Sequence, residues 1–148
     1  MVITSDPKND VYKSLIDLAF DVCDEFILVV HKESGLICND SGMLILQRLA
    51  DSLKEMAEQS KWAGTELYKD TAYVYHYSTD NQAREIINEV SSLLYGWVHP
   101  DFPEDLCFYK NGKPWLINTA HERQSHILTE DKAEIDRILN IKGLEIRL

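Results

Sequence analysis

The chain has 148 residues, 45% of them hydrophobic and 27% charged, the composition of one globular domain and not of a disordered segment. Fifteen basic residues stand against 25 acidic ones, a formal charge of −10 that repels nucleic-acid backbones and anionic membranes. No apolar run approaches the roughly 20 residues of a membrane span, MVITSDPKND lacks the features of a secretion leader, and Cys23, Cys38 and Cys107 form no CxxC pair. The expectation is a cytoplasmic protein with free thiols, no membrane or nucleic-acid partner and no cofactor.

Val11, Leu15, Leu18, Ala19 and Val22 recur at helical spacing and predict a first helix over about 9–23. Asp10, Asp17, Asp21 and Asp24 fall on its opposite face, as a solvated surface or an acidic docking face. EFILVVH, 25–31, is β-branched and aromatic and predicts a strand. Glu33-Ser34-Gly35 turns the chain, and Leu36-Ile37-Cys38 reads as a short second strand.

Asn39, Asp40 and Ser41 offer caps for a long helix to about residue 60. Its apolar stripe would be Leu46, Leu49, Ala50, Leu53, Met56 and Ala57, with Met43, Leu44 and Ile45 buried at its start. TAYVYHYS, 71–78, predicts a strand with Tyr73, Tyr75 and Tyr77 on one face and Ala72, Val74 and His76 on the other. Thr79-Asp80 caps a third helix that turns Ile86, Ile87, Val90, Leu93 and Leu94 inward.

The loop YGWVHPDFPED is stiffened by Pro100 and Pro103. Two apolar runs then flank Asn111-Gly112, the favoured two-residue hairpin turn, which sets Phe108 opposite Trp115 and Cys107 opposite Leu116. Pro114 cannot donate to a ladder, so its strand should lie at an edge or begin there. Thr129-Glu130-Asp131 opens a last helix to about 140, and 144–148 can add a terminal strand. The order predicts one α+β domain over 1–148, with helices packed on a mostly antiparallel sheet.

The chemistry-bearing stretch is NTAHERQSHI. A zincin helix needs histidines at i and i+4, but here Ser125 follows His121 by four and His126 by five. Five residues turn a helix through about 500°, so the two imidazoles diverge by about 140°. On a strand, odd spacing puts them on opposite faces. A metalloprotease site is excluded and no metal is expected. His121 and Glu122 remain either a locally bonded strand end or a general acid/base pair. Cys107 reads as core, and Cys23 ends a helix, where the dipole does not activate a thiol. There is no G-x-S-x-G elbow and no phosphate loop.

Two features suit recognition. The tyrosine face is either covered by a helix or open to a partner, where tyrosine gives large contact area at small entropic cost. The loop carrying Trp97, Asp101, Phe102, Glu104 and Asp105 is either a preorganised binding loop or one anchored through its aromatics.

PEDLCFYKNGKPWLINTAHER, 103–123, resembles a C-terminal segment of small uncharacterised bacterial proteins in which PEDL leads through a turn to PWL and then AHE. The likeness covers about 20 of the 148 residues and brings no established chemistry. In general character the chain is similar to the immunity proteins of bacterial toxin systems. That likeness implies a non-enzymatic inhibitor that occludes a basic toxin such as a nuclease. Asp101, Glu104 and Asp105 would meet the toxin's cations, and Tyr73, Tyr75, Tyr77, Trp97 and Phe102 would anchor the contact; Asp17, Asp21 and Asp24 are the second acidic choice. The alternatives are an enzyme using His121 and Glu122, or a structural or regulatory subunit.

Overall fold

A computed structural model of the chain describes residues 1–32 and 37–148. In chain order the elements are β1 (Val2–Ile3), α1 (Asp10–Val22), β2 (Glu25–His31), α2 (Asp40–Arg48), β3 (Leu53–Gln59), β4 (Lys61–Trp62), β5 (Thr65–Glu66), β6 (Ala72–Ser78), α3 (Asn81–Val90), β7 (Glu104–Lys110), β8 (Lys113–Thr119), β9 (Gln124–Ile127), α4 (Lys132–Leu139) and β10 (Ile146–Arg147). Eight strands form one antiparallel sheet in the order β10-β1-β9-β8-β7-β2-β6-β3, and β4 and β5 make a separate small hairpin. The fold is α+β, as the order of predicted elements requires. No helix among the described residues is long and apolar enough to cross a membrane.

β2 is apolar throughout because it lies between β6 and β7 and is covered on both faces. Phe26, Leu28 and Val30 join Tyr77, Phe108 and the buried faces of all four helices in the main core. Phe26 stacks on Tyr77 with ring centroids 5.0 Å apart, and Phe20 meets Phe108 edge-on at 5.2 Å. Ile27 and Val29 point to the other face, where Ala72, Val74 and Cys107 form a second core closed by Trp62 and Ala63 of the small hairpin. That hairpin presses against β8: a Cβ on Gly64, which has φ +79°, would sit 2.7 Å from Ile117 Cγ2. Glycine is required there on both counts.

The acidic stripe of α1 lies at the surface, with Asp10, Asp21 and Asp24 exposed and Asp17 half-buried, and two of its members are paired. Asp17 pairs with Lys13 at 2.9 Å and accepts from Asn88, while Asp21 takes Arg84 at 2.6 Å and Arg137 at 2.7 Å. These pairs tie α1 to α3 and α4. Asp80 caps α3 through Ala83 N, and Asp131 caps α4 through Glu134 N.

The long predicted helix stops at Arg48. After a short 3-10 turn, Ala50–Ser52, the chain becomes β3 on the outer edge of the sheet. LADSLKEMAEQ has high helix propensity, but pairing of β3 with β6 overrides it. Ser52 helps to stop the helix, since its hydroxyl donates to Asp80 Oδ1 at 2.8 Å and is committed to another element. Of the predicted stripe, Leu46 and Leu49 are buried, whereas Ala50, Leu53 and Met56 are exposed. Met43 and Leu44 are exposed too, and only Ile45 of that trio is buried. Ile37 and Cys38 lie in no strand; the turn expected at 33–35, and Leu36, lie outside the described residues.

The Asn111-Gly112 turn joins β7 to β8 with both residues at positive φ, 52° and 78°. The expected register holds only next to the turn, with Lys110 opposite Lys113 and Tyr109 opposite Pro114. A bulge at Trp115 then sets Phe108 opposite Leu116. The extra residue lets Trp115 and Leu116 both enter the helix-side core, where Trp115 Nε1 donates to Glu134 Oε1 at 2.7 Å. β8 is an interior strand, and Pro114 is tolerated near its start beside the bulge.

Candidate functional site

The backbone departs from a regular strand at the start of β7. Ile27 of β2 pairs with Cys107 and Val29 with Glu104, so Leu28 faces two residues, Asp105 and Leu106. This bulge holds Asp105 at φ 56°, a left-handed conformation that a short polar side chain tolerates better than most. Neighbours along a regular strand point to opposite faces. Here the bulge brings Glu104 and Asp105 together, and one donor atom each from Glu104, Asp105 and His121 lie within 4.8 Å of one another.

His121 arrives from the far end of β8, in the 3-10 turn Ala120–Glu122 that Arg123 closes at φ 55°. Ala120 is buried and pins the turn to the core.

The two carboxylates are held differently. Trp62 Nε1 donates to Asp105 Oδ2 at 3.1 Å. Oδ1 of the same group, in a residue 1% exposed, has no hydrogen-bond partner. Burial pushes the Asp105 carboxyl above the usual aspartate range, and the Glu104 charge adds to this. The Trp62 bond, the His121 charge and the Ala120 amide act against it without reversing it. Glu104 Oε2 lies 2.8 Å from His31 Nε2. Burial acts to raise Glu104, but the His31 bond and the adjacent His99 outweigh it and hold the group below the usual range.

His99 lies behind this pair. Its Nε2 accepts from the His31 amide at 3.1 Å and its Nδ1 faces the Phe102 carbonyl at 2.8 Å. Since a carbonyl can only accept, Nδ1 carries the proton and the ring is the neutral Nδ1–H tautomer. Burial, which lowers the His99 pKa, agrees with that state. The His31 ring packs edge-on against both Trp62 and His99, at 5.7 and 5.5 Å.

The residues expected to meet a partner separate. Glu104 and Asp105 belong to a strand and are buried, so they are not rim charges; Asp101 alone of the three acids is exposed, and it accepts from Asn39 Nδ2 at 2.7 Å. Trp97 is buried, donates to Tyr12 Oη at 3.2 Å and meets Phe102 edge-on at 5.2 Å, so the aromatics anchor the loop. Tyr77 is buried in the core, while Tyr73 and Tyr75 are half-buried, with Lys32 Nζ 5.4 Å from the Tyr73 ring centroid. His121 and Glu122 are 3.7 Å apart and both about half exposed, a surface contact weakened by water. His126 sits in β9, between Ile117 and Val2, and takes no part in the His121 cluster.

His31, Trp62 and His99 were missed by sequence reasoning. The outward signal was slight: His31 ends an apolar strand, and WAG at 62–64 marks a tight turn. Neither says which carboxylate would meet them.

A second candidate lies on the surface. Among the described residues, five of the ten exposed large hydrophobic side chains (Ile37, Met43, Leu44, Leu53 and Met56) fall on α2, β3 and the residues leading into α2. Asp40, Asp51 and Glu55 of the same stretch are exposed and make no ion pair among the described residues. No described strand pairs with the outer side of β3. Register places Met56 opposite Tyr75 and Glu58 opposite Tyr73.

No protein-family model matches the chain, and no curated protein or solved structure shows significant similarity to it.

Proposed function

We propose that the chain is a non-enzymatic binding protein that inhibits a basic partner, in the manner of an immunity protein against a toxin such as a nuclease. The observation that supports this reading is the acid-rimmed apolar surface at α2 and the open edge β3. An edge strand offers its free N–H and C=O groups to an incoming strand. Methionine side chains adapt to the shape of what they meet, and Tyr73 and Tyr75 add partly exposed aromatic area beside Met56. Asp40, Asp51 and Glu55 supply charge that speeds encounter with a basic surface. The docking surface therefore replaces the Asp101–Glu104–Asp105 loop of the sequence reading, of which only Asp101 is accessible. Reversing the surface, with Leu44→Lys and Met56→Lys in one chain, should abolish capture of the partner while leaving the fold intact.

An acid/base enzyme is the second reading. The observation that favours it is the Asp105 carboxyl, raised by burial and close to His121. In that case Asp105 joins Glu122, which lies 3.7 Å from His121, as a second carboxyl near the imidazole. The open hollows beside Lys32, Lys69, Asp70 and Thr71, and beside Met1, Lys113 and Leu128, are lined by other side chains.

A further inference from the structure

We propose that Glu104, Asp105 and His121 form a binding site for one divalent transition-metal ion of the zinc class. Three independent features of the geometry carry this. The first is convergence: three donor atoms from two separate elements lie within 4.8 Å of one another, a spread that small side-chain movements close onto one ion. The second is Asp105 Oδ1, buried and without a hydrogen-bond partner. A buried acceptor left unpaired is costly, and a cation satisfies it directly. The third is the support behind the carboxylates. Trp62 Nε1 holds Asp105 through Oδ2, which leaves Oδ1 available, and His31 Nε2 holds Glu104 through Oε2. Groups that hydrogen-bond to ligand side chains in this way orient them and tune their basicity.

The left-handed bulge has a purpose on this reading. Without it Glu104 and Asp105 would point to opposite faces of the sheet and could not share an ion. The ligand set also selects the metal. One imidazole nitrogen and two carboxylate oxygens suit zinc or manganese, whereas calcium takes six to eight oxygens and magnesium keeps an octahedral oxygen shell. Three protein ligands leave a fourth position for water, and His121, 49% exposed, stands on the solvent side as the entry path. This inference is independent of the α2–β3 docking surface.

The test uses the full chain, stripped with a chelator and titrated calorimetrically at pH 7 with zinc chloride, manganese chloride and magnesium chloride in turn. The expected result is saturation at one zinc per chain, weaker manganese binding and no measurable heat from magnesium. His121→Ala and Asp105→Asn should each weaken zinc binding by at least about tenfold, and Trp62→Phe by about tenfold through loss of ligand support. His126→Ala should leave it unchanged. Because a substitution can disturb the turn, the wild-type chain supplies a second reading: zinc should shift the ring-nitrogen resonances of His121 and leave those of His126 in place. Absence of saturable zinc binding, an affinity unchanged in His121→Ala, or a shift at His126 without one at His121 would each overturn the proposal. The cluster would then be a hydrogen-bonded network only.

Discussion

Asp105→Asn should stabilise the metal-stripped chain at neutral pH, against the usual direction for a buried substitution. The side chain is 1% exposed, and burial raises its pKa. A carboxyl whose folded pKa lies above its unfolded value contributes stability below the unfolded value, about 3.9 for aspartate. That contribution is lost as pH rises through the folded value. At pH 7 the fold therefore carries a cost for burying this ionisable group, of the order of a few kcal/mol. Asparagine keeps an acceptor for Trp62 Nε1 and tolerates the left-handed backbone. What it gives up is the charge assistance of the Trp62 bond, about 1 kcal/mol. The net gain is about 2 kcal/mol, or about 1 M in the urea midpoint for a slope near 2 kcal/mol/M. Urea melts at pH 7 and pH 4, with the slope checked for constancy, measure it. The advantage should shrink at pH 4, where aspartate approaches its neutral form. A variant less stable than wild type by about 1 kcal/mol or more at pH 7, or an advantage that grows on acidification, would show that the buried carboxyl does not cost the fold stability.

Gly112→Ala should lower stability by about 1 kcal/mol, the cost of a Cβ in a left-handed conformation; the new Cβ meets nothing within 4 Å, so the urea midpoint reads the backbone term alone. Glu134→Gln should cost about 2 kcal/mol at pH 7, because Glu134 accepts from Trp115 at 2.7 Å, from Thr129 at 2.8 Å and from Lys110. Burial acts to raise the Glu134 pKa, but those bonds hold it below the usual range, so its contribution is present above the unfolded value of about 4.3 and is lost as pH falls through the folded one. Thermal melts should therefore show the gap between variant and wild type closing below about pH 4.

The parts of the fold legible in the sequence are those where local pattern and tertiary context agree. EFILVVH is a strand by composition and the central strand by burial. Asp80 and Asp131 cap the helices they precede, and Asn111-Gly112 turns the hairpin because both residues accept positive φ. β3 was hidden because LKEMAEQ carries helix formers at helical spacing and becomes a strand only through β6, which follows later in the chain. The register error at Trp115 has the same origin: a bulge is stabilised by Glu134 and the α4 side of the core, not by the turn. For the site, His121 was legible as a chemical residue but its partners were not. Its neighbour Glu122 is the obvious candidate in sequence and does lie 3.7 Å away, but the two carboxylates of β7 that gather within 4.8 Å of it are not signalled by anything local. Glu104 and Asp105 read as loop acids, since nothing local announces that Pro103 leads straight into a strand or that Trp62 would cover it.

The proposed docking of a basic protein on the α2–β3 surface can be tested by capture with a surface-reversed bait. Wild-type chain, the Leu44→Lys/Met56→Lys variant and a Leu139→Lys control are immobilised and exposed to the same source-cell extract, with a matched urea melt showing that each is folded. All three positions are exposed, so the substitutions alter surface and not core. The account predicts one basic protein retained by wild type and by Leu139→Lys, lost from the double variant, and released by raised salt. Retention by the double variant at wild-type levels, or no basic protein retained by any bait, would contradict it.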